Sequence, residues 1–205
     1  MVAKGLLVHL DVRHDMDAKV EELLLDAVPA VEAETGIDAW FALRFGRGEY
    51  GIFDVFADEA AREAHLQGAV VAGLMARAGE LFNHGPRVEK LDVLAGKVPP
   101  GVGSAADRRG LLLRFQAKSG HEAQVAQFLI DARAFVQEEP GTTAWFALRF
   151  GNGEFGIFDT FPDNGARFSH LTGHVPRELA KHALSLLGSM PEMHMLNVLM
   201  ETFRR

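Results

Sequence analysis

One stretch of this chain occurs twice, and that limits what the chain can fold into. Ala39–Phe56, AWFALRFGRGEYGIFDVF, returns as Ala144–Phe161, AWFALRFGNGEFGIFDTF, at an offset of 105 residues. Only Arg47/Asn152, Tyr50/Phe155 and Val55/Thr160 differ. So long a period does not suit a solenoid; it fits two copies of a small domain. The rest of the chain aligns at the same offset without a gap. Each copy reads β-α-β-β-α-β.

In the first copy, Gly5–Val12 alternates like a strand. Asp17 stands where a helix cap would, ahead of Val20, Leu23, Leu24, Ala27 and Val31 on one helical face, with Gly36 as a stop. Ala39–Phe45 and Tyr50–Phe56 form a hairpin around Gly46-Arg47-Gly48, where the turn needs positive φ. If those three residues are the loop, Trp40 faces Asp54 and Arg44 faces Tyr50. Asp58 caps a second helix running to about Phe82, and Val88–Leu94 is the last strand. Gly110–Lys118, His121–Glu139, Asp163–Leu187 and Met193–Met200 repeat these elements. The Pro/Gly/Ser-rich residues 98–109 read as a linker between repeat units at 1–97 and 110–205.

This order is the ferredoxin-like split βαβ unit, an α+β design with both helices on one face of an antiparallel sheet. The other face is left bare. Yet both parities of the hairpin carry large apolar groups, Phe41, Leu43 and Phe45 on one and Trp40 and Ala42 on the other, so neither suits water. Burial of each such side chain stabilises by ~1.5–3 kcal/mol. Two units in one chain can cover each other's bare face. The expected architecture is therefore a tandem of ferredoxin-like units forming an intramolecular dimeric α/β barrel.

Composition narrows the partners. A net charge of −7 over 205 residues argues against nucleic acid, whose phosphates want a basic face. No apolar run approaches membrane-spanning length, and the N-terminus is a poor signal peptide. Cysteine is absent, which removes thiol chemistry and thiolate metal sites and suits a cytoplasmic protein. High Ala, Gly and Arg usage suggests a bacterial source.

The second hairpin strand ends in an acid and an aromatic, and the next helix carries Ala/Ser-His-Leu: Asp54, Phe56 and Ala64-His65-Leu66, then Asp159, Phe161 and Ser169-His170-Leu171. In this the chain resembles, once per half, the antibiotic biosynthesis monooxygenase-like group of dimeric α+β barrel proteins. Many members carry Glu and Trp where this chain has Asp and Phe, and a second His four residues after the first. His174 keeps that second His; the first half has Ala69. The group spans cofactor-free oxygenases of polyphenols, quinol oxygenases, haem-degrading enzymes and members without known activity. The resemblance implies an oxygenase without metal or organic cofactor acting on an aromatic or quinol-type molecule. A non-catalytic or stress-associated ligand-binding protein, and a haem protein with a helix His as axial ligand, are the alternatives. A further homodimer of the whole chain is compatible with either.

His65 and His170 are the candidate proton acceptors, Arg44 and Arg149 the candidate orienting donors. Each also has a plain structural reading, as a boundary histidine or half of an ion pair with Asp54 or Asp159. Trp40 and Trp145 suit either an aromatic wall for a flat ligand or a core. His170 and His174 share a helical face, but no third ligand at a fixed spacing completes a metal site. His9 and Arg114 occupy equivalent first-strand positions and could line a cleft; their difference makes the two halves inequivalent. Gly46-Arg47-Gly48 and Gly151-Asn152-Gly153 join strand to strand, so the helix N-terminus of a phosphate loop is missing.

Overall fold

The element order of the repeat is present twice. The computed structural model describes residues 3–99 and 108–204, with residues 183 and 184 described by their backbone alone. The first copy comprises β1 (Ala3–Asp11), α1 (Asp17–Asp26), α2 (Val28–Ala33), β2 (Ile37–Gly46), β3 (Glu49–Phe56), α3 (Glu59–Leu66), α4 (Ala69–Leu81) and β4 (Arg87–Lys97). The second comprises β5 (Arg108–Gln116), α5 (Glu122–Gln137), β6 (Ala144–Gly151), β7 (Glu154–Phe161), α6 (Asn164–Leu171), α7 (His174–Leu186) and β8 (Glu192–Phe203). The fold is α+β, and the hydrogen-bonded strand order β1-β3-β2-β8-β5-β7-β6-β4 is that of a closed eight-stranded barrel, as the doubled ferredoxin-like reading anticipates.

Two compact units make up the chain, and each takes a strand end from the other copy. The N-terminal unit holds residues 3–90 with 197–204, and the C-terminal unit holds 91–99 with 108–196. In the N-terminal unit the far end of β8 pairs with β2, placing Thr202 beside Trp40 and Asn197 beside Arg44. In the C-terminal unit the far end of β4 pairs with β6, placing Asp92 beside Arg149 and Lys97 beside Trp145. Alternation along a strand reports its faces and not its partners, which is why the exchange is invisible in sequence. Of the linker read at 98–109, residues 100–107 lie outside the described residues, while Arg108 and Arg109 already belong to β5.

The hairpins follow the loop-length argument. Trp40 faces Asp54 and Arg44 faces Tyr50; Trp145 faces Asp159 and Arg149 faces Phe155. Positive φ falls on Gly48 in the first turn and on Gly151, Asn152 and Gly153 in the second. Replacing Arg47 by Asn152 suits this, because Asn enters the left-handed region at little cost.

The helices depart from the simple reading. Asp58 and Asp163 do cap α3 and α6, accepting from Ala61 N and Ala166 N. Asp17 does not cap: it is the first residue of α1, and its carboxylate accepts from Gly48 N at 2.9 Å and from the Tyr50 hydroxyl at 3.0 Å. The first helix of the N-terminal copy is broken ahead of Pro29, which sits in the first turn of α2. A proline there removes one helical hydrogen bond and is tolerated only near a helix start. The second copy has Ala134 at that place and a continuous α5. Each long second helix is likewise two segments, parted at Gly68 and at Gly173.

Both faces of each hairpin are buried, as the apolar parities require. In the N-terminal unit Leu6, Val8, Trp40, Ala42 and Ile52 pack with helix residues Val20, Leu24, Val31, Val70 and Leu81. On the opposite parity Phe41 and Phe53 stack with ring centroids 5.9 Å apart, and Phe203 meets Phe41 edge-on at 5.5 Å. The C-terminal unit repeats the helix-facing core with Val125, Leu129, Val136, Trp145, Ala147, Ile157 and Leu179.

Candidate functional site

In each unit a cluster of buried polar groups lies where the last turn of a helix meets the second hairpin strand. In the C-terminal unit this is His170, near the end of α6, over Asp159 on β7. The imidazole Nδ1 lies 2.6 Å from Glu139 Oε2, and Nε2 lies 2.9 Å from Asp159 Oδ2. Its ring also packs against Phe161, with centroids 5.3 Å apart. Glu139 follows α5 by two residues, so the end of that helix delivers it. Thr142 donates to Glu139 Oε2 at 2.8 Å and lies 3.3 Å from His170 Nδ1. Lys97 donates to the Val136 and Glu139 carbonyl oxygens, at 2.9 and 2.6 Å. A Cβ on Gly173 would stand 2.8 Å from His170 O and 3.4 Å from Glu139 Oε1. The approach to the His170 carbonyl oxygen is what requires glycine at the break between α6 and α7.

These contacts set the charges. Burial alone would lower the pKa of His170, but the charge of Asp159 and hydrogen bonds to Asp159 and Glu139 outweigh it and raise it to about 10. Burial pushes the Asp159 carboxyl up, against the opposing pull of His170. Glu139 is held below its usual range: burial raises it, but the hydrogen bond and charge of His170, with Thr142 and Lys97, prevail. At neutral pH His170 is therefore an imidazolium held between Glu139 and Asp159, and the raised Asp159 carboxyl is the readier of the two acids to take a proton. Asp159 Oδ1 is buried with no hydrogen-bond partner among the described residues.

The N-terminal unit repeats the constellation more loosely. His65 Nδ1 lies 2.7 Å from Glu34 Oε2, but Nε2 is 3.9 Å from Asp54 Oδ2. Burial raises the Asp54 carboxyl to about 7, with the charge of His65 opposing it. Ile37 stands where the other unit has Thr142, so Glu34 lacks the hydroxyl that braces Glu139.

Cavities separate the units further. In the C-terminal unit a cavity of about 450 Å³ reaches Asp159 and His170; its other lining residues, among them Leu111, Leu113, Ile157, Leu179, Ala180 and Met193, have apolar side chains. In the N-terminal unit a cavity of about 190 Å³ lies at Trp40, among Leu23, Leu24, Val70 and Leu74, and is lined by neither Asp54 nor His65.

The structure thus brings His65 to Asp54 and His170 to Asp159, and keeps the other candidates apart from those pairs. Arg44 binds Glu21 at 3.1 Å and lies over the Tyr50 ring. Arg149 binds Asp92 at 2.7 Å. Each arginine is four residues along the strand from its tryptophan, roughly 13 Å at strand rise, so neither pairs with the buried aspartate. Trp40 and Trp145 are fully buried in the cores, and their indole nitrogens have no hydrogen-bond partner among the described residues. His174 opens α7 with its ring 4.1 Å from Phe135, on a separate cavity of about 360 Å³. His9 approaches Glu89 at 3.5 Å, and Arg114 forks onto Glu154 at 2.8 and 3.0 Å while covering Phe150. Glu34 and Glu139 escaped the sequence reading. Their signal was available: they are among the few polar residues that the diverged first helices and their exits share at the repeat offset.

An axial haem ligand needs a free imidazole lone pair. Both nitrogens of His170 face carboxylates, leaving no lone pair to offer iron. Among the described residues no cluster of three or more His, Asp or Glu is arranged to hold a metal, and no helix is long and apolar enough to cross a membrane.

Comparison with known proteins gives a fold and stops there. No protein-family model matches the sequence, and no curated protein does. A Fusobacterium nucleatum protein described as a candidate monooxygenase aligns over 99% of this chain and 95% of its own, at 14% identity and a TM-score of 0.87. An anthrone oxidase-like protein aligns over 98% and 93%, at 14% identity and a TM-score of 0.62. A Listeria monocytogenes ferredoxin-fold protein related to antibiotic biosynthesis monooxygenases aligns over 97% and 95%, at 11% identity and a TM-score of 0.57. The chain is a doubled ferredoxin-fold protein. More particularly, it has the fold of the antibiotic biosynthesis monooxygenase-like proteins, along nearly its whole length.

Proposed function

We propose that the C-terminal unit holds a cofactor-independent oxygenase site for an aromatic or quinol-type molecule. The observation that carries this reading is the apolar cavity of about 450 Å³ with the buried Asp159–His170 pair in its wall. The volume suits a drug-sized aromatic, and the monooxygenase and anthrone oxidase names borne by proteins of this fold support the chemistry. His170 is already protonated and held on both sides, so the group free to take a proton is Asp159. The bound substrate gives an acidic proton to Asp159 Oδ1. The resulting carbanion or phenolate passes an electron to dioxygen, and the two radicals combine at carbon. The peroxide takes that proton back from Asp159 and then loses water, so that a CH₂ and O₂ become C=O and H₂O. The imidazolium stabilises Asp159 while it is charged, and the apolar lining excludes water.

The test is oxygen uptake with anthrone and with a reduced naphthoquinol. Wild type should consume oxygen with one of them, and Asp159→Asn and His170→Ala should each lower the rate at least a hundredfold. Saturable quenching of tryptophan fluorescence without oxygen uptake would favour the binding-protein alternative and overturn the reading.

A further inference from the structure

The polar atoms around this cavity restrict what it can hold more tightly than its volume does. Among the described residues that line it, only Asp159 and His170 carry polar side chains. Both imidazole nitrogens are engaged, at 2.6 Å by Glu139 and at 2.9 Å by Asp159. Asp159 is fully buried; its Oδ1 has no hydrogen-bond partner among the described residues, and its Oδ2 has only the 2.9 Å ion-pair contact with His170. A buried acceptor left unmatched is costly, and more so when charged. We propose that the cavity selects neutral, largely apolar molecules ending in a single hydroxyl that donates to Asp159 Oδ1, and rejects the same skeletons as carboxylates. This rests on the reading of the cavity as the ligand site, but not on turnover there.

The selection follows from what each end group would meet. A hydroxyl supplies one donor to the one free acceptor and buries the rest of its skeleton against Leu111, Leu113, Ile157 and Leu179. A methyl ether brings no donor and leaves Oδ1 desolvated and unpaired. A carboxylate loses its hydration against an apolar wall whose one cation, His170, is already engaged by Glu139 and Asp159. An ammonium group offers three donors to one acceptor, so its remaining N–H groups go unmatched in an apolar wall. Met190 and Met193, which line the cavity and are exposed at 86% and 49%, give apolar skeletons a matching entrance.

The experiment is binding of 1-naphthol, 1-methoxynaphthalene, 1-naphthoate and 1-naphthylmethylammonium to the full chain, by calorimetry under argon. Naphthol should bind at least tenfold tighter than its methyl ether, and naphthoate should show no saturable binding. Asp159→Asn should cut the naphthol preference to threefold or less. Circular dichroism establishes whether that variant folds; if it does not, the wild-type ratios decide alone. Equal binding of naphthol and the ether, or tighter binding of naphthoate or the ammonium compound, would overturn the inference. Because argon prevents turnover, the expected order without oxygen uptake in air removes the oxygenase reading and keeps this one.

Discussion

The N-terminal and C-terminal units carry the same polar trio on the same elements, and they use it differently. His170 sits 2.9 Å from Asp159, whereas His65 sits 3.9 Å from Asp54. A cavity in the C-terminal unit reaches the pair; one in the N-terminal unit lies at Trp40 and touches neither Asp54 nor His65. Three of the many substitutions between them act at these points. Thr142 for Ile37 braces the glutamate, Ala180 for Met75 leaves room beside α7, and Ala134 for Pro29 keeps α5 in one piece. The duplicated scaffold thus carries two versions of one trio, one of them in the wall of an apolar cavity.

The largest expected difference between the units is in their response to pH. A group whose folded pKa is raised adds stability below its unfolded pKa and loses it as pH rises through the folded value. For Asp54 that loss runs from about 3.9 up to about 7. For His170 it runs from about 6.5 up to about 10. Thermal melts across pH 4–10.5 should therefore fall in two windows, with Asp54→Asn reducing the lower, to which the raised Asp159 carboxyl also contributes, and His170→Gln flattening the upper. A single window removed by either variant would show that the two pairs are not independent.

The helix break gives the next largest effect. Ala134→Pro places a proline inside continuous α5 and should cost about 3 kcal/mol in urea unfolding. Pro29→Ala, where the chain already breaks, should change stability by only about 0.5 kcal/mol. Comparable costs at the two sites would mean that the break does not originate at Pro29. Smaller still, Ala180→Met gives the C-terminal cavity the residue of its counterpart and should weaken 1-naphthol binding about tenfold, equivalent to about 1.4 kcal/mol. Unchanged affinity would place the opening elsewhere.

Much of the architecture was legible because it rests on short-range rules. A three-residue loop fixed the pairing of Trp40 with Asp54 and of Arg44 with Tyr50, and Asp58 and Asp163 declared themselves as caps. The trio was half legible. The histidines and aspartates lie within the repeated motif, but Glu34 and Glu139 reach them across 31 positions of chain, a closure that depends on where each helix ends. Asp17 misled for a related reason: its carboxylate serves the hairpin turn and the Tyr50 hydroxyl, partners far off in sequence. The arginines share a face with the tryptophans, yet a common face says nothing of distance along a strand.

The exchanged strand ends bear on how such a chain can be divided. β2 is bordered by β8, whose sequence arrives some 150 residues later, and β6 by β4, which precedes it by about 50. Cutting the polypeptide between the repeats would strip both β2 and β6 of a neighbour and leave each fragment with a bare sheet edge and a dangling strand end. Such edges seek other chains. Two fragments made together should therefore complement one another as an obligate heterodimer, and either one made alone should tend to pair with itself.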